Sequence, residues 1–176
     1  GIISCHDSSD YSKGSLFEQI CSTENLFEAW RKFRRGKRSK RDVMAYERSL
    51  EGNLFDLRQQ ILTGEYTHDP YTPFIVHDPK ERQIHKATVK DRVVHQAISN
   101  IIEPIYEKGF IHDSFSCRKT KGTHAASYRL RRFLRTASRN DTRTVYILKC
   151  DIRKFFDNVD HGILYSLIRA RIKDRS

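Results

Sequence analysis

The chain has 176 residues, with 33 Lys and Arg against 22 Asp and Glu, so its formal net charge at pH 7 is +11. No apolar run approaches the roughly 18 residues that a membrane-spanning helix needs, so we expect neither a transmembrane segment nor a membrane partner. Aromatic residues make up 11% of the chain, which argues against a disordered protein. The 8 Gly and 4 Pro are too few for a fibrous or low-complexity chain.

The four cysteines are widely spaced, and none forms the C-x-x-C pair that is typical of a zinc site or a redox motif. This usage indicates a reducing compartment, so we expect the protein to be cytoplasmic. The first residue is Gly rather than Met, and the natural N-terminus is therefore expected to lie further upstream.

The basic residues are concentrated in two stretches. Residues 31–41 read RKFRRGKRSKR, the first basic tract, in which eight of eleven residues are Lys or Arg. Residues 118–139, the second basic tract, contain another eight. Such clustering is typical of a surface that binds nucleic-acid phosphates, and it favours this partner over a merely solvated basic face.

The first helices are predicted from the spacing of apolar residues. Residues 1–24 are polar and Ser-rich and are interpreted as a loosely ordered leader. A short helix is predicted over Leu26–Phe33. A second helix is predicted to begin at Asp42 as its N-cap and to continue to Ile61, and Gly64 ends it.

A β-hairpin is predicted over residues 71–86, because two short apolar stretches flank the turn sequence Asp78-Pro79-Lys80-Glu81. Lys80 and Arg82 lie near its tip. Basic side chains on a hairpin that can move suit a triphosphate that must be held and then released. Lys86 is interpreted as ordinary surface charge.

Two further helices follow the hairpin. One is predicted over Val94–Ile105, and Pro104 is expected to bend or end it. After a loop at residues 111–122, Thr123 is expected to cap a second helix, whose apolar face runs to Ala137.

The segment Thr144–Cys150 is a nearly continuous apolar run and is predicted to be a buried central strand that ends at Asp151. A final helix is predicted with Ile163 and Ile172 on its inward face. The fold class is therefore α+β. A central strand without partners cannot bury itself, so we expect the chain to be incomplete at its C-terminus.

The strand end is the strongest candidate for chemistry. Mg²⁺ prefers oxygen ligands, commonly one or two carboxylates together with substrate phosphates, and Asp151 with the carbonyl of Ile152 offers such oxygens. The ring of Phe156 is either a core aromatic or a barrier that excludes a ribose 2′-hydroxyl. Asp157 and Asp160 are interpreted as caps of the following helix.

Several motifs together point to a known family. Residues 74–126 read FIVHDPKERQIHKATVKDRVVHQAISNIIEPIYEKGFIHDSFSCRKTKGTHAA, and residues 146–164 read YILKCDIRKFFDNVDHGIL. In this order and spacing they resemble the bacterial reverse transcriptases of group II introns and diversity-generating retroelements. The likeness covers about residues 26–172, and the stretch SFSCRKTKGTHAA is closer to the retroelement branch.

The resemblance implies a right-hand polymerase fold. Residues 25–143 would form the N-terminal extension and the fingers, built from helices and a β-hairpin, and residues 144–176 the first strand and helix of an incomplete palm. The second metal motif of the family, Tyr-x-Asp-Asp, is not in this sequence. The chain by itself is therefore expected to be inactive, whereas the full enzyme would extend a primer on an RNA template by two-metal nucleotidyl transfer.

The resemblance also implies roles for individual residues. Asp151 matches the first catalytic, metal-binding aspartate, and Ile152 the residue whose carbonyl binds the metal, which would be Mg²⁺ or alternatively Mn²⁺. Phe156 matches the steric gate that selects deoxyribonucleotides. Lys80 and Arg82 match the hairpin cations that hold the incoming triphosphate.

The expected partners are an RNA template, a DNA or RNA primer, dNTPs and an accessory protein. Two other functions remain open, namely a non-catalytic RNA-binding or maturase-like module and an antiphage defence reverse transcriptase. Arg92 has a structural alternative, an ion pair with Asp91. The residues expected to contact nucleic acid are Arg31, Lys32, Arg34, Arg35, Lys37, Arg38, Lys90, Arg92, Arg118, Lys119 and Lys121.

Overall fold

The structure is a computed structural model that describes residues 14–77, 79 and 81–172. These residues divide into two compact units, the first unit at residues 14–107 and the second unit at residues 108–172. This division lies before the boundary at residue 143 that was predicted between fingers and palm, and the assignment of those two names stays a prediction. Both units contain helices, and the α+β class is confirmed.

The first unit begins with two capped helices. Helix α1 spans Leu16–Ile20, within the predicted leader, and Ser15 and Glu18 form a reciprocal capping box at its start. Helix α2 spans Thr23–Phe33, and the hydroxyl of Ser22 accepts a hydrogen bond from its first turn. Part of the predicted leader is thus helical, while residues 1–13 lie outside the described residues.

The long helix predicted after Asp42 is two helices, α3 at Arg41–Glu47 and α4 at Leu50–Leu62. Between them the Asn53 side-chain amide donates to the Tyr46 carbonyl oxygen at 2.8 Å. A side chain that bonds to the backbone in this way competes with the helical ladder, which accounts for the break. The predicted cap was also wrong, because Asp42 lies inside the first turn of α3 and pairs elsewhere.

The hairpin is confirmed. Strands β1 (Thr72–His77) and β2 (Glu81–Lys86) pair antiparallel, with Val76 opposite Arg82 and Thr72 opposite Lys86. Alternation along the strands places Thr72, Phe74, Ile84 and Lys86 on one face, together with Arg82 nearer the tip. Asp78 and Lys80, in the predicted turn, lie outside the described residues.

Helix α5 spans Val89–Glu107 and contains Pro104, which therefore does not end it. Val93 and Ala97 lie on its buried face and pack into the core that α2, α3 and α4 share with it. The core residues of the first unit are Leu26, Ala29, Trp30, Phe33, Val43, Leu54, Leu57, Val89, Val93, Val94 and Ala97.

The second unit contains α6 at Thr123–Ala137 and α7 at His161–Arg171, with a short 3₁₀ helix at Phe156–Asn158. Gly122 rather than Thr123 occupies the N-cap of α6 and has a positive φ of 110°, which favours glycine. The predicted inward faces of α6 and α7 are not buried in the part of the chain that the structure describes.

The predicted buried strand at 144–150 was wrong for the described chain. These residues form no strand, and Tyr146 and Leu148 are 93% and 88% exposed. A strand needs a neighbouring strand to satisfy its backbone, and within the described residues β1 and β2 pair only with each other. Cys150, predicted to lie in the core, is exposed for the same reason.

Membrane crossing requires a helix that is both long and apolar. Of the helices that the structure describes, none meets both conditions.

Candidate nucleic-acid interface

About half of the first basic tract stabilises the helices of the first unit. Arg31 forms an ion pair with Glu28, and Arg34 forms one with Glu47, so that the second pair joins α2 to α3. Lys37 donates to the Phe33 carbonyl oxygen at 2.8 Å. The contacts of Arg34 and Lys37 hold the turn between the two helices, whereas the Arg31 pair lies within α2. Sequence clustering alone could not separate these positions from phosphate-binding ones.

The remaining cations of the first basic tract point to solvent around the same turn. Gly36, with a φ of +71°, allows the chain to reverse here. The exposed basic residues around this turn are Arg35, Arg38, Lys40 and Arg41, and Arg31 and Lys32 on α2 are exposed as well. A tight turn thus presents several positive charges together, which is the arrangement that attracts a phosphate backbone.

Arg82 is exposed on β2, as the predicted triphosphate contact requires. Its backbone position opposite Val76 is set by the hairpin register. Lys80, its predicted companion, lies outside the described residues.

Lys86 and Arg92 meet at one carboxylate, that of Asp42. The Lys86 ammonium lies 2.7 Å from Asp42 Oδ2, and the Arg92 guanidinium donates to the same oxygen at 2.9 Å. The hydrogen bond from Lys86 is the largest cause that lowers the pKa of Asp42, and Arg92 adds to it. The alternative ion pair of Arg92 with Asp91 is not formed, because Asp91 has other partners. Lys86 was interpreted as ordinary surface charge, but it forms a specific ion pair with Asp42.

Asp91 is fully buried at the start of α5, and no pattern in the sequence indicates its role. Its carboxylate accepts hydrogen bonds from the hydroxyls of Thr88 at 2.6 Å and Tyr66 at 2.8 Å, and from the Asp69 backbone N–H at 3.2 Å. Burial raises the pKa of Asp91, but the bonds from Thr88 and Tyr66 outweigh it and hold the pKa below its usual range. The carboxylate joins the segment before β1 to α5.

Lys90 is also engaged within the first unit. Its ammonium lies 3.2 Å from Asp69 Oδ1 and 5.6 Å from the centre of the Tyr66 ring. Its predicted nucleic-acid contact therefore competes with an existing ion pair.

A groove of about 960 Å³ lies between the inner face of the hairpin and the helices of the first unit. Tyr71, Phe74 and Ile84 form an apolar part of its lining. The basic residues of the lining are Lys37, Lys40, Lys86 and Arg92, and Asp42 is its acidic residue. A positive groove with aromatic walls suits single-stranded nucleic acid, whose phosphates need cations and whose bases need flat apolar surfaces.

In the second unit, the loop at residues 111–122 is closed by its own cations. Arg118 donates to the carbonyl oxygens of Ile111 and Ser114, both at 2.9 Å, and Lys121 donates to the His112 carbonyl. Lys119, between them, is exposed. Arg118 and Lys121, which were predicted to contact nucleic acid, thus hold the loop, while Lys119 presents its charge to solvent.

Asp151, Ile152 and Phe156 are all exposed in the second unit, and Phe156 is 87% so. Within the described ranges no group of three or more His, Cys, Asp or Glu side chains is arranged to hold a metal ion. Asp160 accepts a hydrogen bond from the Ile163 backbone N–H at 2.9 Å, which confirms its predicted role as a helix cap. Asp157 lies in the 3₁₀ helix instead.

Comparison with known proteins identifies relatives that match most of this chain. Protein YkfC of Escherichia coli is 30% identical over 122 residues, 67% of this chain and 31% of that protein. The group II intron-encoded protein LtrA of Lactococcus lactis is 29% identical over 127 residues, 70% of this chain and 20% of the relative. Nuclear intron maturase 2 of Arabidopsis thaliana is 23% identical over 145 residues, 73% of this chain and 19% of the relative.

No family model matches the chain. The chain spans between about a fifth and a third of the length of these relatives. Because each of these matches is longer than either unit, the similarity extends into both units. The comparisons therefore confirm that this chain resembles the proteins that group II introns encode, and that it does so over about two thirds of its length.

Proposed function

We propose that this chain is the fingers and the beginning of the palm of a reverse transcriptase. The observation that supports the proposal most strongly is the similarity to a group II intron-encoded protein over 70% of the chain. The confirmed hairpin with an exposed Arg82, and the exposed turn of the first basic tract, are compatible with it. The complete protein would copy RNA into DNA from dNTPs.

Within that proposal, Asp151 and the carbonyl of Ile152 would hold Mg²⁺, with Mn²⁺ as the alternative ion. The donor chemistry fits, because the carboxylate of the exposed Asp151 and the backbone carbonyl of the exposed Ile152 both offer oxygen atoms, the ligands that Mg²⁺ prefers. One carboxylate and one carbonyl are an incomplete set, so further ligands must come from substrate phosphates or another segment. When bound, the ion would stabilise negative charge on the transferred phosphoryl group.

The other groups position the substrates. Arg82, with Lys80, would pair with the triphosphate of the incoming nucleotide, and the exposed ring of Phe156 would exclude a ribose 2′-hydroxyl. Arg35, Arg38 and Lys119 are the exposed cations of the predicted set that are best placed to neutralise template and primer phosphates.

A second candidate is a non-catalytic maturase-like module that binds RNA. It is favoured by the names of two relatives, Nuclear intron maturase 1 and Nuclear intron maturase 2 of Arabidopsis thaliana. Both functions need the basic surface, but only the polymerase needs the Asp151 carboxylate.

Asp151→Ala in a full-length protein that contains this sequence tests the difference. Primer extension should fall by about 1,000-fold or more, because several kcal/mol of charge stabilisation are lost with the metal. RNA affinity should not change. Asp157→Ala is the matched control and should extend primers at the wild-type rate. Undiminished extension by Asp151→Ala would contradict the proposed metal role, and absence of extension by the wild type would favour the maturase-like module.

A further inference from the structure

The Asp42 carboxylate occupies an unusual place in the groove of the first unit. Two cations from different elements, Lys86 at the end of β2 and Arg92 on α5, converge on its Oδ2 at 2.7 and 2.9 Å. Phosphate oxygens in proteins also accept hydrogen bonds from Lys and Arg at such distances. Asp42 thus presents an anion at the point where the groove concentrates positive charge.

The Arg92 guanidinium is fixed before any ligand arrives. Its centre lies 4.8 Å from the centre of the Phe33 ring, and its Nε donates to the Thr88 carbonyl oxygen at 3.2 Å. A guanidinium held on one face by an aromatic ring keeps its remaining N–H groups in a set direction. The group is therefore pre-organised to bind an anionic oxygen, and Asp42 supplies that oxygen in this structure.

The apolar lining identifies the kind of anion that fits. Tyr71 and Phe74 are 52% and 43% exposed, so part of each ring is accessible beside the cations, although the Tyr71 ring also contacts the His68 ring at 4.8 Å between centroids. Free phosphate would use only the cations, whereas a strand with unpaired bases would use both surfaces. Charge complementarity and the exposed rings together favour single-stranded RNA.

We propose that this groove binds a single strand of RNA, one phosphate of which replaces Asp42 between Lys86 and Arg92. Asp42 then acts as an internal competitor that weakens binding and makes it reversible. The inference rests on the proposed function to the extent that RNA is the ligand.

The exchange is feasible because the ion pairs are accessible to water. The side chains of Asp42 and Lys86 are 36% and 42% exposed, and that of Arg92 is 22% exposed. A pair as exposed as Asp42 with Lys86 contributes little to stability and is readily replaced. The fully buried Asp91, not Asp42, accepts the hydrogen bonds that hold α5 to the segment before the hairpin.

Asp42→Asn is the decisive variant, with a 20-nucleotide oligouridylate RNA as the probe. Removal of the competing carboxylate should tighten binding by about tenfold. The slope of log affinity against log salt should change by less than about 0.7, the contribution of one single-strand phosphate, because the same phosphate contacts Lys86 and Arg92 in both proteins. Glu47→Gln is the matched control. It removes one negative charge from the same helix, and it frees Arg34, which does not line the groove.

A reversal variant identifies the cations that are responsible. If Lys86 and Arg92 contact the phosphate that Asp42 competes with, Asp42→Asn combined with Lys86→Gln and Arg92→Gln should lose the gain in affinity. Equal effects of Asp42→Asn and Glu47→Gln would show a general charge effect and would overturn the proposal. Weaker binding by Asp42→Asn would overturn it as well.

Lysine acetylation of the wild-type chain gives an answer that does not depend on the folding of any variant. RNA should protect Lys37, Lys40 and Lys86, which line the groove, and should leave Lys90 unprotected. Equal protection of Lys90 and Lys86 would overturn the groove as the site. Wild-type binding without these groove effects would overturn this inference alone, whereas no binding of the RNA by any form would overturn the proposed function too.

Discussion

The two units of the described chain differ in what their apolar side chains contact. In the first unit, four helices enclose a core in which Leu26, Val43 and Val93 are at most 1% exposed. In the second unit Ser138 is the one residue described as buried, and Leu130, Phe133 and Leu167 remain exposed. Both units have amphipathic helices. An apolar stripe in a sequence therefore shows which face of a helix can pack against other residues, but it does not show that this face is buried.

The same contrast applies to the polar groups. The first unit places a buried carboxylate, Asp91, among several donors. The second unit uses an exposed pair, in which Arg129 donates to Asp113 at 2.7 and 3.3 Å and lies over the Phe133 ring. The first arrangement links elements far apart in sequence, whereas the second ties a loop to the next helix.

Replacement of one leucine by alanine in each unit should show the largest difference in stability between the two units. Leu57 is 1% exposed in the core of the first unit, and Leu57→Ala should lower the free energy of unfolding by about 3 kcal/mol through lost burial and the cavity that remains. Leu167 is 63% exposed, and Leu167→Ala should change it by less than about 0.5 kcal/mol. Urea denaturation measures both. Equal losses would show that α7 is covered in solution and would break the comparison.

Removal of the buried carboxylate should have the next largest effect. Asp91→Ala leaves the hydroxyls of Tyr66 and Thr88 without their acceptor and should cost about 2 kcal/mol of unfolding free energy. Asp113→Ala is the counterpart in the second unit and should loosen only its own loop. Thermal unfolding followed by circular dichroism tests the pair, and an unchanged midpoint for Asp91→Ala would contradict the network.

Low pH should weaken the hydrogen bonds of Asp91 and lower the stability of the first unit by a smaller amount. Because the folded pKa of Asp91 is below its ordinary 3.8, its stabilising contribution is present above about pH 4 and is lost as the pH falls through the folded value. The midpoint of the first unit should therefore fall more steeply below pH 4 in the wild type than in Asp91→Asn. Parallel profiles for the two proteins would contradict the lowered pKa.

The elements of the first unit were largely predictable, because their signals are local. The apolar spacing of α2 and α5 and the turn sequence of the hairpin predicted those elements, and the structure confirms them. The break between α3 and α4 was not predictable from apolar periodicity, since it depends on a bond from the Asn53 side chain to the backbone. The strand predicted at 144–150 failed because pairing requires a partner that its own residues cannot specify.

The candidate site was predictable in kind but not in detail. Charge clustering identified the basic tracts, yet it could not show that Arg34 pairs with Glu47 or that Arg118 closes its loop. The roles of Asp42 and Asp91 depend on partners up to 50 residues away. Contacts at that separation arise from packing, which single-residue patterns do not encode.

The central claim is that the exposed positive charge of this chain binds nucleic-acid phosphates. The affinity of the chain for single-stranded RNA, measured between 50 and 200 mM salt, tests it most directly. With at least five phosphate contacts the affinity should fall by about 100-fold over this range, because each contact releases counterions. An affinity that does not change with salt would contradict the claim.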